Sequence, residues 1–214
     1  MLRLPSIHRC LLGGCIASLF AATASAQPDS NRWQLDSAGS ELTVHVFKSG
    51  LFSGFLHDHL FVPQQWSCTV EFDATHLEAF RAQLSVATAS LRDNQPKLSA
   101  EDKAKVESQV ASPEVLDATR FPEIRFTADR LVASADKTEE LQGTVFGKLS
   151  LHGVTRPMEF PVRIWRRGDA RVVLGKVSFN QSDFGISPLS KAGGAIAVED
   201  RVLVDFALRL QPVR

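Results

Sequence analysis

Apolar and polar side chains alternate with a period of two through most of this chain. From Glu41 to Phe47, ELTVHVF sets Leu42, Val44 and Val46 against Thr43, His45 and Phe47. Trp66, Cys68, Val70 and Phe72 alternate with Ser67, Thr69 and Glu71, and between Arg81 and Ser90 the residues Leu84 and Val86 are set against Arg81, Gln83 and Ser85. Further faces follow at Ile124, Phe126 and Ala128; at Val145, Gly147, Leu149 and Leu151; and at Met158, Phe160, Val162 and Ile164. Val173, Gly175, Val177 and Phe179 make another, and Val202, Val204, Phe206, Leu208 and Leu210 the last. Successive side chains of an extended backbone point to opposite faces, so with Arg32 to Leu35 the pattern predicts about eight strands.

His152-Gly153-Val154-Thr155 and Arg166-Arg167-Gly168-Asp169 are short connections between alternating runs, which predicts antiparallel hairpins. One segment reads as a helix. From Ser99 to Ser112 the chain offers a serine cap, Glu101 and Asp102 in the first turn, and Val106 stacked on Val110. Its narrow apolar stripe suits the surface or the end of a barrel. The fold class expected is all-β with one or two helices, an antiparallel closed barrel, because closure removes the exposed edges of so many strands. At about eight strands the interior is filled by side chains or holds one small ligand. Gly143, Gly147 and Gly175 interrupt strand patterns, which fits barrel curvature first and room for a ligand second.

Composition narrows the setting. Residues 1–26 carry Arg3 and Arg9 and no acid, then an apolar run from Cys10, and end in Ala24-Ser25-Ala26; this reads as a secretory signal peptide cleaved after Ala26. One domain is then expected over 27–214, soluble and exported, with no integral membrane segment after processing. The processed chain has 22 basic against 24 acidic residues, which invites neither nucleic acid nor an anionic membrane. Cys68 is its only cysteine, so no internal disulfide can form. It has 13 phenylalanines and no tyrosine, an aromatic content suited to a dry interior.

Residues 50–63, GLFSGFLHDHLFVP, concentrate the candidate chemistry. On an extended backbone His57 and His59 point to one side and Asp58 to the other. The pair could share a zinc or copper ion, with His45 on a nearby strand as a third ligand, but no motif supplies a fourth. Asp58 or another carboxylate could orient one imidazole for acid-base work, yet no nucleophile completes such a site. A plainer reading makes the stretch a loop at a cavity mouth, its histidines bonded to backbone or to the polar head of a ligand.

Four stretches carry a resemblance: LDATRFPEIRF (116–126), GKLSLHGVTRPMEFPV (147–162), FNQSDFGI (179–186) and VEDRVLVDF (198–206). In order and spacing they resemble the YceI-like family of secreted bacterial proteins, over residues 31 to 212. The resemblance implies a lipocalin-like barrel whose apolar tunnel binds a polyisoprenoid chain, with no established catalysis; no cofactor is expected. Three departures stand out. Gln181 replaces an arginine before Ser-Asp-Phe-Gly, the histidine that usually follows Arg92-Asp93 is absent, and Phe47-Lys48 stands where the first long strand usually ends in histidine.

The expected function is a periplasmic carrier or reservoir for an isoprenoid lipid or quinone-like ligand, acting without turnover; the rival is a metal-binding or redox accessory protein using His57 and His59. Candidate ligand contacts are Phe47, Phe52, His57, His59, Phe126, Phe146, Phe179 and Phe184. Asp183 is expected to tie its turn through its side chain. A pair of exposed barrel strands could support a homodimer.

Overall fold

A computed structural model describes residues 31–50, 57–73, 76–137 and 140–213. Within them, β1 (Arg32–Leu35), β2 (Glu41–Ser49), β3 (His59–Pro63), β4 (Trp66–Glu71), β5 (Arg81–Ala87) and β6 (Leu91–Asp93) precede the helix α1 (Ala100–Ala111). After it come β7 (Glu123–Lys137), β8 (Glu140–Leu151), β9 (Val154–Arg167), β10 (Ala170–Asn180), β11 (Ser190–Lys191) and β12 (Ile196–Pro212). The expected leader, residues 1–26, lies outside the described residues.

The twelve strands form one antiparallel sheet that closes on itself. β12 pairs with β10 along one edge; along the other it pairs with β2 and then, from Leu210 to Pro212, with β1. The circuit β12, β1, β4, β5, β7, β8, β9, β10 returns to β12, an eight-membered barrel. β2, β3 and β6 are continuations of β1, β4 and β5 past three bends, so eight long strands appear as more segments. At the bends, side chains replace missing ladder bonds. Ser40 Oγ donates to Asp36 O at 2.7 Å and accepts from Arg209 N, and buried Ser90 accepts from Gln65 N through its hydroxyl while Thr88 Oγ1 donates to Phe121 O.

Turn chemistry follows the sequence. Leu151 pairs with Val154 around a two-residue loop in which His152 and Gly153 both have positive φ, 51° and 76°, the geometry of a type I′ turn that suits the twist of the flanking strands. Gly168 takes a φ of 61° in the β9–β10 turn. The helix begins where expected, with Ser99 Oγ accepting from Asp102 N at 3.1 Å. It closes one end of the barrel: Val110 packs with Leu91, Leu149 and Phe179 against the buried group Leu116, Leu151, Phe184 and Ile186.

The inner glycines make room for rings. Phe126 on β7, Phe160 on β9 and Phe206 on β12 form a row with centroids 5.3 and 5.8 Å apart, and Gly147 on β8 and Gly175 on β10 stand between them. A Cβ on Gly147 would come within 2.7 Å of Phe126 Cζ and one on Gly175 within 2.2 Å of Phe206 Cζ. Gly175→Ala is therefore expected to cost about 1–3 kcal/mol through overpacking. Phe206→Leu in the same chain should recover part of that loss, and the coupling is read from urea midpoints of the two single variants and the double.

Candidate functional site

The barrel encloses a cavity of about 320 Å³ that runs nearly its full length, from Trp33, Leu208 and Leu210 at one end to Val106, Val110 and Leu116 at the other. The alternation explains its chemistry: Val44 and Val46 of β2, Val173 and Val177 of β10, and Val202 and Val204 of β12 all point inward. Among the described residues four polar side chains interrupt the lining, His59, Gln109, Arg171 and Gln181. Cys68 is also there, and burial pushes its thiol up to about 12.

His59 is placed by a short network near the helix end. On β3 it lies opposite Val46 of β2 and so shares that inward face. Its Nδ1 meets Asp93 Oδ2 at 2.6 Å, and the Asp93 side chain is fully buried. Asp93 Oδ1 accepts from Gln95 N at 2.9 Å, while the Asp93 N–H donates to Glu107 of α1 at 2.9 Å. With a carboxylate accepting at Nδ1, that nitrogen carries the ring proton, and in the neutral ring Nε2 is then an acceptor. The site can accept a hydrogen bond from a hydroxyl, or, once protonated, donate to an oxygen. Asp58 is used elsewhere: its Oδ1 accepts from Lys48 N at 3.0 Å and its carbonyl from Gln95 Nε2 at 2.6 Å.

The candidate residues separate clearly. His59, Phe126 and Phe179 line the cavity. Phe184 is 1% exposed and packs edge-on behind Phe179, outside the lining. Phe47 and Phe146 do not line it: each falls out of phase with the inward residues of its strand, and each lies beneath an arginine, Arg201 at 5.0 Å and Arg130 at 3.6 Å from the ring centroids. His57 precedes β3, half-buried and not among the lining residues, and Phe52 lies outside the described residues. His45 cannot join His59 on a metal, because it pairs with Leu60 and so faces outward, where its Nε2 sits 3.5 Å from Asp205. Among the described residues no group of three or more potential ligands is assembled.

One further expectation is corrected. Among the described residues no hydrogen bond to the Asp183 carboxylate ties the turn; Ser182 does so, through its N–H and hydroxyl to Asp200 at 2.8 and 2.5 Å, with Gly185 left-handed at a φ of 73°. Those bonds hold the Asp200 carboxyl below its usual range. Sequence reasoning also missed Arg171, Gln109 and the role of Asp93. Arg171 was legible, since it stands in phase with Val173 and Val177.

A family model described as the YceI-like domain matches residues 33–210. The chain belongs to this family. A UPF0312 protein of Pseudomonas savastanoi pv. phaseolicola is 28% identical over 151 residues, 69% of this chain and 71% of that protein. One from Pseudomonas fluorescens is 26% identical over 186 residues, covering 82% and 88%. Among solved structures, BcnA of Burkholderia cenocepacia shares the fold with a TM-score of 0.66 at 20% identity, over 82% of this chain and 98% of that one. A polyisoprenoid binding domain from Saccharophagus degradans, implicated in plant cell wall breakdown, gives 0.62 at 15% identity over 85% and 98%.

In the YceI-like barrel of this chain the Asp93 carboxylate fixes the His59 ring. Asp93→Asn should cost about 1.5–3 kcal/mol in urea unfolding, because charge-assisted bonds to a buried acceptor weaken, and nitrogen-15 shifts of His59 should lose the Nδ1–H form. Cys68 gives a separate expectation. With its thiol held protonated by burial, labelling at mildly alkaline pH should proceed only as fast as the barrel opens. Since the folded value is raised, stability is retained below the unfolded thiol's range and falls by about 1.4 kcal/mol per pH unit above it, until the folded thiol ionises.

Proposed function

We propose that this protein is a periplasmic carrier or reservoir for an isoprenoid lipid, held in the barrel cavity without turnover. The observation that carries the reading is the cavity itself, long, about 320 Å³ and lined, among the described residues, by apolar side chains with four polar ones. An extended chain gains about 0.8 kcal/mol for each methylene-sized group taken out of water, roughly 4 kcal/mol for a five-carbon unit. The polyisoprenoid binding domain with the same fold supports this class of ligand. Periplasmic export rests on the leader-like residues 1–26.

His59 gives the head group its chemistry. A neutral ring bonded to Asp93 presents an acceptor at Nε2, which suits a prenol or quinol hydroxyl better than a quinone carbonyl. The absence of turnover in this reading rests on the lining. Among its described residues the one thiol or hydroxyl side chain is Cys68, and burial holds that thiol protonated far above neutral pH.

Native mass spectrometry of the protein purified from a periplasmic extract should show a copurified species with the mass of an isoprenoid lipid. Val177→Phe, which fills part of the cavity, should remove it and weaken added geranylgeraniol about tenfold or more while circular dichroism stays barrel-like. Unchanged binding in this variant would place the ligand outside the barrel and overturn the proposal.

A further inference from the structure

The end of the cavity opposite the helix holds a charge that its surroundings do not neutralise. Along β10, Arg171 stands in phase with Val173 and Val177, and it lines the cavity. Directly across the β9–β10 hairpin is Arg166, in phase with the inward Ile164. Like charges opposite each other on one sheet face destabilise the pair. Burial, and after it the charge of Arg166, lowers the pKa of Arg171, although a guanidinium stays protonated at any ordinary pH. Neighbouring arginines on the outer face fare differently. Arg163 of β9 pairs with Glu140 at 2.8 Å and Arg209 of β12 with Asp36 at 3.5 Å.

Among the described residues neither Arg171 nor Arg166 has a carboxylate partner. Arg166 Nε donates to Gly168 O at 3.0 Å, and the Arg171 guanidinium carbon sits 5.0 Å from the centre of the Trp33 ring. That contact orients the guanidinium without neutralising it. The position is also far from His59. His59 lies opposite Val46, Val46 opposite Val202, and Arg171 opposite Leu210. From Val202 to Leu210 along β12 the separation is roughly 27 Å at the usual rise of a strand.

We propose that Arg171, backed by Arg166, forms an anion-binding end of the cavity that seats the carboxylate or phosphate of a long apolar chain, head toward the β9–β10 hairpin. The proposal rests on the reading of the cavity as a chain-binding site. It gives the tunnel two unlike ends: an acceptor at His59 for a neutral hydroxyl, and a guanidinium at Arg171 for an anion. A fork of N–H donors over an aromatic face matches a carboxylate or phosphate oxygen pair, and the apolar walls strengthen that attraction.

The test compares three probes with one tail, geranylgeraniol, its monophosphate and the corresponding carboxylic acid, titrated against the purified protein by tryptophan fluorescence. Both anions should bind more tightly than the alcohol at low salt, and the advantage should shrink between about 50 and about 500 mM sodium chloride. Arg171→Met should weaken the anions about ten- to a hundredfold and the alcohol by much less; His59→Ala should weaken the alcohol more than the anions. Arg171→Lys, which keeps the charge, should retain part of the preference.

Without ligand, Arg171→Met should melt at or above the wild-type temperature, because an unpaired charge has been removed. Anion affinities unaffected by either Arg171 variant, or a ligand-free Arg171→Met that is markedly less stable, would overturn the proposal while leaving alcohol binding in place. Failure of the alcohol and the anions alike to bind would instead overturn the chain-binding reading, and this inference with it.

Discussion

Everything in this molecule depends on β12 hydrogen-bonding along both of its edges. One edge is taken by β10, and the other is shared in succession by β2 and β1. That sharing is feasible because β1 and β2 are one strand bent at Ser37–Gly39, so a single chain segment serves the two ends of the same partner. Closure then fixes which residues face inward. Once β12 commits Val202, Val204, Phe206, Leu208 and Leu210 to the interior, register carries the same choice to β10, β9, β8 and β7 in turn, since a one-residue slip would invert each strand.

The interior that results is unevenly packed. Around Trp33, Phe72, Leu141, Val162 and Leu210 the side chains form a continuous core, and a smaller one gathers under the helix at Leu116, Leu151, Phe184 and Ile186. Phe126, Phe160 and Phe206 belong with the first of these, seated over Gly147 and Gly175. The glycines thus serve ring packing. Larger residues there would collide with the rings. The expectation of curvature is not contradicted, but the close contacts give the more specific reason.

The strands, the hairpins and the helix with its Ser99 cap were legible because each rests on local alternation or local capping. The inner face was legible too, wherever phase was followed strictly. Phe47 shares a phase with Thr43 and His45, and Phe146 falls between Val145 and Gly147, so both belong outside; reading phenylalanine as interior by type alone misplaced them. Their cover by Arg201 and Arg130 is a contact between strands that no local pattern announces. The short strand β3 was harder. It begins at His59 within a stretch rich in glycine and apolar residues, and ends at Pro63 beside a bend, so no alternation of useful length marks it. The bond from His59 to Asp93 joins residues 34 positions apart and depends on the pairing of β3 with β6.

The polar groups of the cavity are positioned by opposite kinds of constraint. His59 is over-determined: Asp93 holds its ring, Gln95 and Glu107 hold Asp93, and the helix carrying Glu107 closes that end of the barrel. A ligand hydroxyl there would meet an acceptor already oriented, with little left to order on binding. Arg171 is held by strand phase and by Trp33, with a like charge beside it. Its guanidinium would gain its first strong partner from a ligand. A tunnel whose walls are uniformly apolar cannot fix the direction of a chain, because every orientation buries the same surface. Direction must come from the ends, and these two ends differ in charge, in preorganisation and in the hydrogen-bonding role each can play.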